Sequence, residues 1–165
     1  MALLHEFNEE NVSEAEAATY KVRKAVRAIV FDADNNVGII NLTTYKYYDL
    51  PGGGIEEGET PEEACIRECK EEIGCTVEIV TELGSTREYR QQLGRINESI
   101  CFIAKVAGEK GLPALTETEI ANGTETVWVP LEEAIRLVKA STYEKLYDKY
   151  VVQRSQVFLA ALKQK

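Results

Sequence analysis

The amino-acid sequence predicts an α/β protein, on the strength of three stretches. Tyr20 to Asp32 alternates over Val22, Val26, Ala28 and Val30, the period of two that belongs to a strand with one buried face. Thr60 to Gly74 is a helix delimited chemically at both ends. From Leu131 onward, apolar residues recur at helical spacing almost to the C-terminus. At 165 residues the chain can bury a core without disulfide or metal staples, and a single domain over 1–165 is expected.

The first segment, 1–19, reads as an N-terminal extension. It is acidic, without the basic start and apolar centre of a targeting peptide. Its Leu3, Leu4 and Phe7 are expected to cover an edge of the domain or to join a subunit interface. His5 is the only histidine; with no second His and no Cys/His or Ser/His pairing to assemble, a nucleophilic triad is not expected, and an exposed terminal position is expected for it. After the Tyr20–Asp32 strand, Asp34-Asn35-Asn36 makes a turn, and Val37 to Leu42 returns as the second strand of a hairpin. Thr43 to Tyr48 is a tyrosine-rich connection whose Tyr45, Tyr47 and Tyr48 either pack on the sheet or stack on an aromatic ligand. The strand-like Tyr48 to Leu50 leads into Pro51-Gly52-Gly53-Gly54, a loop whose backbone can approach an anion or metal closely.

The helix begins at Thr60 because Thr60-Pro61-Glu62-Glu63 is a capping box with proline at the first helical position. Gly74 stops it, since a left-handed residue is what a helix C-terminus commonly requires. Glu68, Glu71 and Glu72 then share one face at i, i+3 and i+4. Like charges at that spacing repel, and two of them lie near the negative end of the helix dipole. A solvated acidic face would tolerate this; a bound Mg²⁺ or Mn²⁺ would relieve it, because both cations prefer clustered hard oxygen ligands. The preceding glycine loop and Arg67 inside the acidic cluster favour the metal, with Arg67 placed to pair with Glu59 and Glu71 and hold the ligand face still.

Beyond the helix, Thr76 to Leu83 and Thr86 to Arg90 read as strands, Gly94 as a turn, and Ile96 to Val106 as a returning strand. Arg87, Tyr89, Arg90 and Arg95 on this hairpin are either ligand contacts or solvated. Gly108 to Gly123 reads as a long loop containing Glu117 and Glu119. Thr126 to Val129 is a short strand, Pro130 opens a helix over Leu131 to Lys139, and Tyr143, Leu146, Tyr147, Tyr150, Val151, Val157, Phe158 and Ala161 mark a last amphipathic helix. A stripe that long implies core packing or a homodimer interface.

The net charge of −9 argues against nucleic acid held through its phosphates, and it would repel a polyphosphate unless metal ions bridged the two anions. Cys65, Cys69, Cys75 and Cys101 lack paired C-x-x-C spacing and are expected to be buried free thiols. No apolar run is long enough to span a membrane, and a cytoplasmic location is expected.

Gly53, Glu59, Arg67-Glu68, Glu71-Glu72 and Gly74 stand at the spacing of the Nudix box, and residues 53–75 resemble it closely. All seven fixed positions match; the pattern's two bulky aliphatic positions hold Cys69 and Cys75. The resemblance is specific over 48–75 and loose elsewhere. It implies a Nudix fold, an α/β/α sandwich with a mixed β-sheet, and hydrolysis of a pyrophosphate bond in a nucleoside di- or triphosphate derivative. It also implies that Glu68, Glu71, Glu72 and the Gly52 carbonyl hold Mg²⁺, with Mn²⁺ as substitute, while Glu59 and Arg67 orient that set. Gly53, Gly54, Arg27, Tyr48 and Arg90 are the candidate substrate contacts, and Glu117, Glu119 or Glu125 could supply a further ligand or the base. The expected partner is a small nucleotide derivative. The family fold also serves as a non-catalytic sensor, but members of that kind often lose a box carboxylate or the arginine, and this chain keeps all seven residues. Signatures for NADH, coenzyme A or ADP-ribose are not found outside the box, which leaves a nucleoside triphosphate or general nucleotide derivative.

Overall fold

A computed structural model describes residues 2–162. Strands β1 (Leu3–Phe7), β2 (Lys21–Phe31), β3 (Asn36–Leu42), β4 (Tyr47–Asp49), β5 (Val77–Arg90), β6 (Arg95–Val106) and β7 (Thr124–Pro130) form one mixed sheet in the order β1-β5-β6-β2-β3-β4, with β7 also on β3. The helices are α1 (Glu14–Ala17), α2 (Pro61–Ile73), α3 (Glu117–Ala121), α4 (Leu131–Ala140) and α5 (Leu146–Leu162). Alternation along the central strands divides the core as the sequence pattern demands. Val26, Ala28 and Val30 of β2 with Phe102 and Ala104 of β6 face Ala64, Cys65, Cys69 and Ile73 of α2. The intervening Ile29 and Cys101 face Ala134 and Val138 of α4 and Phe158 and Leu159 of α5. The sheet is thus sandwiched between helices, as expected, and all four cysteines are buried and free.

The sheet splits where the site is built. β2 meets β3 in only two rungs beside the hairpin turn, Val30 with Gly38 and Phe31 with Val37. Farther along, β4 takes that edge of β3 through Ile40 to Leu42, and β7 covers the opposite edge. The abandoned edge of β2 is filled by the glycine loop: Ala28 N–H donates to the Pro51 carbonyl and Val26 N–H to that of Gly53, both at 2.9 Å, and Ile55 N–H donates to the Lys24 carbonyl. Loop and sheet are therefore one hydrogen-bonded unit.

Helix α2 starts and stops on the residues its sequence marks. Glu63 N–H donates to Thr60 Oγ1 at 3.2 Å and Thr60 N–H to Glu63 Oε2 at 2.8 Å, closing the capping box. Gly74 ends it at φ 68°, with the Gly111 carbonyl packed where a Cβ would project. The connection after β6 docks there: Gly111 N–H donates to the Gly74 carbonyl, Ala114 N–H to that of Glu71 and Thr126 Oγ1 to that of Glu72. Lys110 pins this connection, with Nζ 2.5 Å from Asp32 Oδ2 and 3.9 Å from the centre of the Trp128 ring.

Several expectations are corrected. The two strands anticipated over 76–90 are one, β5, with register shifts near Val80 and Leu83 that let a long strand bend. The loop anticipated over 108–123 contains α3, opened by a second capping box between Thr116 and Glu119. The last helix begins at Leu146, three residues after Tyr143. Of the two roles open to the N-terminal apolar residues, the fold shows an edge: β1 pairs parallel with β5, and Phe7 is buried against Tyr150. Among the described residues no helix is long and apolar enough to cross a membrane.

Candidate functional site

Arg67 organises the box. Its Nε and Nη2 grip both oxygens of Glu59 at 2.8 and 3.0 Å, and Nη2 also donates to the Gly54 carbonyl at 2.9 Å. Its Nη1 donates to Glu68 Oε1 at 2.8 Å and Glu71 Oε2 at 3.2 Å. One planar guanidinium thus ties the glycine loop, the preceding turn and the acidic helix face together, which a point-charge lysine could not do. The hydrogen bonds to Glu59 raise the Arg67 pKa further, and Arg67 holds the Glu59 carboxyl below its ordinary value.

The glycines make room for carboxylates. Gly52 sits at φ 141° with its α-carbon against β2, so that a Cβ would overlap the Val26 carbonyl. A Cβ on Gly53 would overlap the Glu68 carboxylate, which occupies that space. Gly52 N–H donates to Glu72 Oε2 at 2.7 Å. Burial pushes the Glu68 carboxyl up, partly opposed by Arg67, and that of Glu72 up to about 8, partly opposed by the Gly52 amide and Arg27.

This arrangement fits a divalent cation in its donor chemistry. Within the loop, the carbonyls of Pro51, Gly53 and Gly54 accept hydrogen bonds, whereas that of Gly52 has none among the described residues. Glu68 and Glu72 bring partly buried carboxylates to the same loop, where burial raises the pKa of each. Glu71 is held by Arg67 and half exposed, and among the described residues no three acidic, thiol or imidazole side chains converge into a closed ligand cage. The donors at hand are therefore the carboxylates of Glu68 and Glu72, the more exposed one of Glu71 and a free carbonyl, an oxygen set suited to Mg²⁺ that leaves positions for water and phosphate.

A cavity of about 410 Å³ opens beside these groups, within the size range of small-molecule sites. Gly52, Glu72, Arg27 and Asp49 line one part. Arg27 is buried with Nη1 on its own strand's Val26 carbonyl at 2.6 Å, while Nε makes no hydrogen bond and lies 3.7 Å from Asp49. Burial pushes the Asp49 carboxyl up, but Arg154 and Arg27 prevail and hold it below its usual range. Arg154 Nη2 contacts both Asp49 oxygens at 3.2 and 2.9 Å, Ser155 Oγ donates to Asp49 at 2.6 Å, and Arg154 Nη1 reaches the fully buried Glu88 at 3.4 Å. Aromatic and polar side chains line the rest, among them Tyr45, Tyr47, Asn122, Tyr147 and Asp148.

The sequence candidates divide accordingly. Arg27, Gly52 and Glu72 line the cavity, with Glu68 and Gly53 packed beside them. Glu119 also lines it, but its Oε2 is engaged by the Thr116 N–H and hydroxyl at 2.6 and 2.8 Å. Glu117 and Glu125 are exposed and do not line it. Tyr48 packs with the α4–α5 core, on the opposite face from Tyr47 and Asp49. Arg90 is turned away: its Nη2 is 2.5 Å from Glu88 Oε2, its guanidinium lies 4.4 Å and 4.6 Å from the Tyr147 and Tyr150 ring centres, and it borders a separate cavity of about 190 Å³. Asp49, Asn122 and Asp148 were not singled out by sequence, since single polar residues on three distant elements carry no local pattern.

The chain is similar to known proteins in sequence and in fold. A model of the NUDIX domain matches residues 21–150. An RNA pyrophosphohydrolase of Shewanella sediminis (strain HAW-EB3) is 52% identical over 42 residues, 26% of this chain and 24% of that protein. A putative 8-oxo-dGTP diphosphatase of Bacillus subtilis (strain 168) is 28% identical over 90 residues, 54% of this chain and 58% of that protein. The matched segments thus span from about a quarter to somewhat over half of these relatives. Among solved structures, a NUDIX hydrolase from Nitrosomonas europaea superposes with a TM-score of 0.62 at 19% identity, covering 85% of this chain and 90% of that one. A MutT protein from Methanosarcina mazei Go1 gives 0.58 at 18%, covering 88% and 98%. At such identities the structural likeness speaks for the fold.

Proposed function

We propose, from the premise that this chain belongs to the NUDIX family, that it hydrolyses a pyrophosphate bond in a nucleoside di- or triphosphate derivative with the help of a divalent cation. The observation that carries this reading is the Arg67-centred cluster, which sets Glu68 under Gly53 and Glu72 on the Gly52 amide at the wall of a nucleotide-sized cavity. The names of the two curated relatives, an RNA pyrophosphohydrolase and a putative 8-oxo-dGTP diphosphatase, share the cleavage of a phosphoric anhydride and support the same reaction class.

The family is generally dependent on divalent metal. Glu68, Glu71, Glu72 and the Gly52 carbonyl would hold Mg²⁺ or Mn²⁺, which would supply Lewis-acid chemistry by offsetting pyrophosphate charge and acidifying water. The chain's own residues do the rest. Arg67 fixes Glu68 and, through Gly54, the loop. Gly52 N–H fixes Glu72; burial pushes its carboxyl up to about 8, and the positive charge of a bound cation would keep it ionised, able to accept a proton from attacking water near neutral pH. Arg27, ion-paired with Asp49 at 3.7 Å, brings positive charge to the cavity wall, where it would favour a phosphate. A box glutamate is favoured as base because Glu119 is engaged in capping and Glu117 and Glu125 lie off the cavity.

The test is hydrolysis of nucleoside triphosphates, dinucleoside polyphosphates, ADP-ribose, nucleotide sugars, NADH and coenzyme A with Mg²⁺, comparing the native chain with Glu72→Gln. Turnover of one class that falls by about a hundredfold or more in the variant is expected. If both folded proteins bind a compound and cleave none, the chain is a nucleotide sensor and the catalytic reading is wrong.

A further inference from the structure

Arg27, Arg90 and Arg154 meet Asp49 and Glu88 in one network behind the main cavity, and no side chain in it is more than 14% exposed. Apolar residues of similar volume commonly serve stability as well as a buried ion network does, so a network of this size suggests a further use. Three guanidinium groups face two carboxylates, which leaves one positive charge in surplus. The hydrogen bonds decide where it sits. Glu88 is taken by Arg90 Nε and Nη2 on one oxygen and by Arg154 Nη1 on the other. Asp49 Oδ1 accepts from Ser155 Oγ at 2.6 Å, Leu50 N–H at 2.8 Å and Arg154 Nη2 at 3.2 Å, and Oδ2 accepts from Arg154 Nη2 at 2.9 Å. Arg27 is left with the weakest hold: its Nε stands 3.7 Å from Asp49 Oδ2, beyond hydrogen bonding, its Nη1 is on the Val26 carbonyl, and its Nη2 donates to nothing among the described residues. Arg27 and Asp49 line the cavity, whereas Arg154, 3% exposed, and Ser155 do not.

Resting on the reading of this cavity as a phosphate site, we propose that Arg154 is a positioning residue: by occupying Asp49 it keeps Arg27 from closing onto that carboxylate, and so leaves Arg27 free for the phosphates of the ligand. A carboxylate offers about four lone-pair sites, and donors from α5 and the Leu50 amide fill those of Asp49 before Arg27 can. With Arg154 removed, Asp49 would hold a nearly buried charge short of a counter-ion, and the nearest cation is Arg27. The short, charge-assisted bond formed between them would have to be broken whenever a phosphate entered. Arginine suits the task because its planar fork takes Glu88 with one nitrogen and both Asp49 oxygens with another, which a point-charge lysine could not do. The last helix thereby sets the anion affinity of the cavity through two residues that lie outside it.

The experiment is a double-mutant cycle on binding, with methylenediphosphonate and Mg²⁺ as the probe and calorimetric titration as the readout. Arg154→Met, Asp49→Asn and their combination are compared with the native chain, each with and without Arg27→Met. Arg154→Met alone is expected to weaken binding by roughly tenfold to a hundredfold, the worth of a charge-assisted hydrogen bond that must be given up. In the Asp49→Asn background the same substitution should change affinity by less than about threefold, and in the Arg27→Met background it should change nothing further. Loss of a positive charge, or a general loosening of α5, would act alike in all three backgrounds, so the non-additivity carries the assignment. An equal loss from Arg154→Met whatever stands at positions 27 and 49 overturns it. Should Arg154→Met not fold, Arg154→Lys takes its place in the cycle, since it keeps the charge but not the fork, and the same pattern is expected. A native chain that does not bind the probe with Mg²⁺ present refutes the phosphate reading and this proposal together, whereas binding with an additive cycle refutes the positioning role alone.

Discussion

Replacing Glu72 by glutamine removes a carboxyl that titrates near 8 in the fold against 4.5 when free. A group whose pKa is raised by folding contributes its full stability below the unfolded value and loses it as pH climbs through the folded one. Without metal, the native chain is therefore expected to lose stability relative to Glu72→Gln between about pH 4.5 and 8, then to run parallel with it. At about 1.4 kcal/mol per pKa unit the whole shift amounts to at most about 5 kcal/mol. The side chain is only partly buried beside an open cavity, so water screening reduces this to roughly 2–3 kcal/mol. For a domain of this size that corresponds to a difference in Tm that grows by about 5–10 °C across the interval. The assay is thermal unfolding of both proteins in EDTA from about pH 5 to 9, where other titrating groups cancel in the difference. Magnesium at about pH 8 should then raise the Tm of the native chain and leave the variant nearly unmoved, because ligand binding stabilises only the state that holds it. Parallel pH profiles, or equal stabilisation of both proteins by magnesium, would show that Glu72 is neither the strained carboxyl nor a ligand.

Gly52→Ala forces a Cβ into the Val26 carbonyl at a φ that L-residues rarely adopt; backbone strain alone should cost about 1–3 kcal/mol, and turnover should fall because the amide that fixes Glu72 shifts. Thr60→Ala opens the capping box of α2 and should lower stability by about 1 kcal/mol in denaturant unfolding, with Thr60→Ser retaining most of it. Arg154→Met strips the main partner from Asp49 and one from Glu88, and should destabilise by about 3–5 kcal/mol, with Asp49→Asn recovering part of the loss in a double-mutant cycle.

What could be read from sequence was whatever the chain writes locally. The caps of α2, the i, i+3, i+4 carboxylates and the glycine run each have their chemistry within a few residues, and they stand where expected. The helix at α3 was equally legible, since Thr116-x-x-Glu119 repeats the rule of Thr60-x-x-Glu63; the glycines and proline around it point instead toward a loop. β1 was not legible as a strand, because Leu3 to Phe7 does not alternate and its place depends on an edge of β5 some eighty residues away. The same holds for the cavity. Asp49, Arg154 and Glu88 meet only after β4, α5 and β5 have packed, and nothing in their neighbourhoods announces a buried ion network. Arg90 illustrates the converse error: a basic residue on a strand suggested a ligand contact, but the chain provides Glu88 two residues earlier and two tyrosines on α5 to occupy it.

The docking of the 110–114 connection onto the end of α2 makes one surface amide a remote witness. Ala114 N–H is bonded to the carbonyl of Glu71, the residue adjoining Glu72, so its exchange with deuterated solvent depends on how firmly that last helical turn is held. Ligation that quiets the turn would slow exchange at Ala114, and shortening the connection would loosen the carboxylates without altering any of them. Length variation in this segment, though it lies outside the cavity, would thus be a means of tuning the site.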